Sequence, residues 1–213
     1  MSDVYPDPSA TPSAPPLDPY AADTALRRLH VRVDAAVAHH REGPVAQTAV
    51  RMLAGQLTPD DVTGGIPAAL IGEDSPFSAS ATGALTLTTL WHSSAWRTLR
   101  AVLEADSADP EARAAVLLVM AARADQLRRE AAVDSDLVRV VSAACEDPDP
   151  RVREAAASAL GELAQERDLE PTVAVLGTLV MDVDADLAAA AELALARLAD
   201  RFDAPGLRAS TDY

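Results

Sequence analysis

One nineteen-residue stretch recurs along this chain, and the recurrence narrows the folds available to it. Residues 146–164 read EDPDPRVREAAASALGELA. Asp149 is a good helix N-cap and Pro150 a good first helical residue, because proline lacks the N–H that would go unpaired there. Behind the cap, Val152, Ala155, Ala156, Ala159, Leu160 and Leu163 fall at helical spacing and build one apolar face. Moved 35 residues on, MDVDADLAAAAELALARLA starts at Met181 and sets Asp182 on Asp147, Asp184 on Asp149, Leu195 on Leu160 and Leu198 on Leu163. Moved 40 residues back, DSADPEARAAVLLVMAARA starts at Asp106 and sets Pro110 on Pro150, Arg113 on Arg153 and Met120 on Leu160. Periods of this size belong to all-α solenoids, in which helix pairs stack and bury a shared core that no single pair could bury alone.

The first helix of each pair precedes its copy of the stretch. Residues 94–105 (SAWRTLRAVLEA), 135–145 (SDLVRVVSAAC) and 171–180 (PTVAVLGTLV) are the candidates. The run D-P-x-P-x-V-R-x-x-A-x-x-A-L at 147–160 resembles the second helix of a HEAT repeat, and the resemblance extends over residues 94–199. It implies an α-solenoid of about three helix pairs, with the second helices on the concave side. It also implies a structural ladder between neighbouring repeats, made by the turn aspartate and the arginine after the valine. That pattern falls on Asp147 with Arg153. The first repeat keeps Arg113 but has Ser107 at the aspartate position, and the last keeps Asp182 but has Ala188 at the arginine position. A missing ladder arginine suits a terminal repeat. Such repeats serve many binding roles, so the resemblance specifies a fold and no reaction.

Charge and composition exclude some functions. The formal net charge of −15 disfavours nucleic acid and anionic lipid, because the summed field repels phosphate. The acids concentrate late: residues 134–203 hold sixteen acids against six arginines, whereas 21–58 hold five arginines against three acids. Either the repeats carry an acidic interaction surface, or this is an ordinary solvated face. Lysine and asparagine are absent, which fits a GC-rich genome such as an actinomycete's. The single cysteine, Cys145, gives no disulfide framework. The start of the chain has Asp3 where a signal peptide carries positive charge, and the longest apolar run, 114–122, is too short to span a bilayer. The expectation is a soluble cytoplasmic protein.

In chain order, residues 1–20 hold six prolines among small polar residues and predict a disordered tail, with a P-x-x-P spacing from Pro12 to Pro15. Residues 21–92 predict an N-terminal helical region that caps the solenoid. Within it, 22–41 and 44–56 are helices, and 66–80 has no clear pattern. Residues 81–92 (ATGALTLTTLWH) fit a strand or a helix; with no second strand to pair with, they predict a helix, one that suits the worn second helix of a further repeat. The repeats occupy 93–202, and 203–213 predicts a frayed C-terminal tail.

No constellation specifies catalysis, a cofactor or a metal. His39 and His40 are adjacent and diverge by about 100° on a helix. His30 and Asp34 share a face, which a surface ion pair explains better than a metal. Cys145 ends a helix, where the dipole raises a thiol's pKa, and reads as a small core residue. His92, Ser93 and Ser94 lack a nucleophile elbow, and Gly64-Gly65 lacks the Lys-Ser/Thr of a phosphate loop. Trp91 and Trp96 read as junction packing beside the first clear repeat.

The expected function is a non-enzymatic protein-binding or adaptor module with an acidic concave surface, in its sharper form an inhibitor or immunity-type protein that caps a basic partner. The candidate partner-binding residues are Arg151, Glu154, Ser158 and Glu162 on the central second helix, with Asp186 and Glu192 on the last. On the first, Glu111, Ala114, Leu118 and Ala122 are mostly apolar, so this face should be covered by the N-terminal helices or by a partner. The alternative is a HEAT-like enzyme, resembling DNA glycosylases or bilin lyases of that fold, with a cleft between the N-terminal helices and the repeats.

Overall fold

The computed structural model describes residues 19–58, 60–61, 64–73, 75–105 and 109–207. Its longer elements are α1 (Pro19–His40), α2 (Glu42–Leu53), α3 (Gly65–Ile71), α4 (Ala79–Thr86), α5 (Ala95–Glu104), α6 (Pro110–Ala122), α7 (Ala124–Arg129), α8 (Ser135–Ala143), α9 (Pro150–Leu163), α10 (Leu169–Leu179) and α11 (Ala185–Arg201). No strand occurs among the described residues. The expected N-terminal tail lies outside them, apart from Pro19 and Tyr20, which open α1. Of the expected C-terminal tail, Pro205–Leu207 form a 3₁₀ turn, and Leu207 packs against the core.

The repeat helices begin where local chemistry lets them. Asp149 caps α9 by accepting the Arg151 N–H at 2.9 Å, and Pro150 takes the first helical position. Asp184 caps α11 by accepting the N–H groups of Asp186 and Leu187, and Asp134 caps α8 by accepting that of Leu137 at 2.7 Å. The pairs are α5 with α6, α8 with α9, and α10 with α11. The second helices stack in one row, α6 on α9 and α9 on α11. The second helices touch one another along far more of their length than do the first helices α5, α8 and α10.

Two glycines set the closest approaches. A Cβ on Gly161 of α9 would lie 2.8 Å from Ala194 Cα of α11. A Cβ on Gly83 of α4 would lie 2.6 Å from the Ala49 carbonyl oxygen of α2. Both positions require the absence of a side chain.

The N-terminal helices do more than close an end. α2 packs on α4 and α4 on α6, so the row of second helices continues through them. α4 is buried on every side, from Ala81 to Leu87. It ends earlier than expected, at Thr86; the Thr88 and Thr89 hydroxyls donate to the carbonyls of Leu85 and Thr86 and terminate it. α3 occupies the segment that had no clear pattern. Arg32 of α1 lies over Gly72 and donates to the Leu70 carbonyl at 2.9 Å, covering the end of α3. α7, between α6 and α8, has no counterpart in the sequence reading. One apolar core runs from Leu29 to Leu198 through all of these elements.

Candidate binding face

The ladder rung pairs Asp147 with Arg113, where the expected partner was Arg153. The Asp147 carboxylate accepts from Arg113 of the preceding repeat, with Nη2–Oδ2 at 2.8 Å and Nε–Oδ2 at 3.0 Å. Both side chains are largely buried, at 15% and 11% exposure. This is a forked, charge-assisted contact between repeats. Arg153 meets Asp147 only through the backbone, donating to the carbonyls of Asp147 at 3.0 Å and Pro148 at 3.2 Å. The Asp182 carboxylate accepts the Asp184 N–H, as that of Asp147 accepts the Asp149 N–H, so each aspartate also folds its own turn.

The offsets of 40 and 35 residues place four rows across α6, α9 and α11. The first is Glu111, Arg151 and Asp186. Arg151 pairs with Asp149 at 2.7 Å, and Glu111 accepts the Ser78 N–H at 3.3 Å. Hydrogen bonding to Arg151 is the largest influence holding the Asp149 carboxyl below the usual aspartate range. The second row is Ala114, Glu154 and Ala189. Glu154 is exposed, flanked by these two small residues, and has no ion-pair partner among the described residues. Partial desolvation pushes its carboxyl up from the ordinary glutamate value, and the charges of Asp186 and Asp184 push it further.

The third row is Leu118, Ser158 and Leu193. Ser158 is half-buried, while the two leucines stand open to solvent at 47% and 52% exposure. The N-terminal helices therefore do not cover the face of α6 that carries Leu118. The fourth row is Ala122, Glu162 and Arg197, in which Glu162 and Arg197 pair at 3.3 Å. Glu162 is thus largely spoken for, and Glu154 and Asp186 carry the acidic character of the face.

Glu192 belongs elsewhere. It is in register with Ala157, which is fully buried on the side of α9 that also carries Gly161 and meets α11. The equivalent side of α11 meets no further helix pair among the described residues, and Glu192 is exposed there. Leu193, one residue on, is the one that joins the face.

A second feature passed unnoticed in the sequence. Arg201 of α11 donates to the carbonyls of Gly161, Glu162 and Ala164, and Arg128 of α7 donates to that of Glu162. Two guanidinium groups thus hold the C-terminal end of α9, where carbonyls are otherwise orphaned. Burial lowers the Arg201 pKa, the Arg128 charge adds to that, and Glu162 and Asp125 oppose it.

The remaining candidates have structural settings. Cys145 is buried, and desolvation pushes its thiol up to about 12. His30, Asp34, His39 and His40 are exposed on α1. The His92 ring and the Ser94 hydroxyl meet at 2.8 Å within one turn. Trp91 and Trp96 are half-buried; Trp91 donates to Glu130 at 2.8 Å, and Arg97 lies over Trp96. Among the described residues, no group of three or more His, Cys, Asp and Glu side chains is arranged to hold a metal, and no helix is long and apolar enough to cross a membrane.

No curated protein and no solved structure matches the chain. The HEAT repeat family does match, over residues 137–166, which run from α8 through the turn and α9. With helix pairs stacked on either side of that segment and the Arg113–Asp147 rung joining it to the pair before, the chain is an all-α solenoid that carries a HEAT repeat.

Proposed function

We propose that the chain is a non-enzymatic protein-interaction module, and that the face across α6, α9 and α11 receives a basic partner in the manner of an inhibitor or immunity-type protein. The observation that carries this reading is the third row. Leu118 and Leu193 stand half-open in the middle of an ordered face, beside the unpaired Glu154. An exposed leucine on either side of an exposed acid offers a partner apolar contact and charge on one face. The acids beside them favour a cationic partner and speed its approach. HEAT repeats commonly mediate protein contacts, which agrees with this reading. The alternative, an enzyme, requires a cleft between the N-terminal helices and the repeats. α4 occupies that junction and is buried from Ala81 to Leu87, which favours binding over catalysis.

The test starts with affinity capture from the native host. Glu154→Arg with Asp186→Arg is then compared with the native protein against the captured partner, at low and high salt. The expected result is a slower association and a weaker salt dependence. An unchanged rate at both salt concentrations would sink the proposal.

A further inference from the structure

The four rows limit the shape of what binds as well as its charge. Adjacent packed helices lie about 8–10 Å apart, so Leu118 on α6 and Leu193 on α11 are separated by about 16–20 Å across α9. Ser158, a smaller and half-buried residue, lies between them in the row. Glu154 lies one helical turn from Ser158, with only Ala114 and Ala189 beside it in its own row. The arrangement is two apolar seats with one anionic seat midway and slightly to one side. The side of the face toward the N-terminal ends of the inner helices is acidic through Glu154 and Asp186. The other side is balanced by the Glu162–Arg197 pair.

On that reading of the face, we infer that its occupant is an amphipathic helix lying across α6, α9 and α11, with an arginine or lysine at Glu154 between two apolar anchors on Leu118 and Leu193. A helix rises about 1.5 Å per residue, so anchors about 11–14 residues apart span the two seats, and a residue about midway faces the same way. The charge asymmetry fixes a second property. The partner's basic edge points toward the N-terminal ends of the inner helices, where Asp186 lies. Glu154 holds its proton more tightly than an ordinary glutamate because of partial desolvation and, after it, the charges of Asp186 and Asp184, and a bound cation would oppose that bias.

The probe is a capped, alanine-based helical peptide of about 18 residues, with two leucines about fourteen residues apart and one arginine midway. Two control peptides replace the arginine with glutamine or both leucines with alanine. Binding is measured by fluorescence anisotropy. The native protein should bind the probe at least about tenfold more tightly than either control. Glu154→Gln should remove the preference for arginine over glutamine and keep the preference for leucine. Leu118→Ala with Leu193→Ala should do the reverse. All three substituted positions are solvent-facing, and circular dichroism checks that the variants fold.

Equal binding of the three peptides, or variants that keep both preferences, would overturn the inference. A concentration-dependent dimer that Leu118→Ala with Leu193→Ala abolishes would also overturn it, by assigning the seats to a second copy of the chain. If the peptides fail while charge reversal still weakens the captured partner, the inference falls and the broader binding reading stands. If both fail, both fall.

Discussion

The helices before residue 92 and those after it are held by different means. In the repeats, the same few devices return: an aspartate cap, an aspartate-folded turn, and small residues where second helices meet. The N-terminal helices use single solutions. Arg32 covers α3, threonine hydroxyls close α4, and Gly83 lets α4 rest on the backbone of α2. Yet one apolar core and one row of second helices run through both regions. A regular half thus continues into an irregular half through the surface that matters, the stacking face. Stacking requires only complementary helix faces, and the turns are free to differ.

The largest expected effect tests the regular half. Arg113→Ala leaves the buried Asp147 carboxylate without its guanidinium and should cost about 3 kcal/mol, whereas Arg153→Ala, which removes only donors to carbonyls, should cost about 1 kcal/mol. Urea denaturation with circular dichroism reads both. Equal losses would remove the rung from the account of repeat stability. The next test sets the halves against each other. Gly83→Ala and Gly161→Ala should each cost about 2 kcal/mol, because the added methyl meets backbone that cannot turn aside. If one core spans the molecule, each variant shifts a single transition. A two-step melt, with Gly83→Ala lowering only the first step, would show that the halves fold separately.

A smaller effect concerns the helix end shared by α9 and its neighbours. Arg201→Ala should cost about 1 kcal/mol, and Arg128→Ala about as much. The two serve one carbonyl, so a double-mutant cycle should show them to be non-additive, and strict additivity would contradict a shared cap.

The smallest effect depends on pH. Glu154 keeps its proton to a higher pH in the folded chain than in the unfolded one. Ionising it therefore weakens folding as pH rises from the unfolded value through the folded value. Glu154→Gln should be more stable than the native chain at neutral pH, by no more than about 0.5 kcal/mol because the group faces water, and equal to it below the glutamate range. A variant that is less stable at neutral pH would show that Glu154 has a favourable partner.

How much of this could be read from the sequence depended on burial geometry. α8, α9, α10 and α11 each bury one side and expose another, which writes a helical period into the residues. α4 is enclosed by α2 and α6, so Ala81–Leu87 have no polar side and show no period. α7, at six residues, is too short to establish one. The face was partly legible. Arg151, Glu154, Ser158, Glu162 and Asp186 lie on it, but Glu192, which is also off the apolar side of its helix, does not, because the 35-residue register puts Leu193 in line with Ser158. The pairing of Asp147 with Arg113 was hidden for another reason: sequence proximity favours Arg153, while the stack brings in the arginine from the repeat before. Arg128 and Arg201 look like ordinary solvated residues until the end of α9 is seen between them.

The glycine at position 161 has a mechanical consequence. With the Gly161 backbone already against Ala194, the second-helix row resists compression at that joint, while the first helices touch one another much less. The stack should therefore behave as a hinge with a stop. It should straighten, spreading the four rows, more readily than it bends tighter. An occupant larger than the resting face can be admitted by flexing, whereas a smaller one cannot be gripped by further closure and must fit the face as it stands.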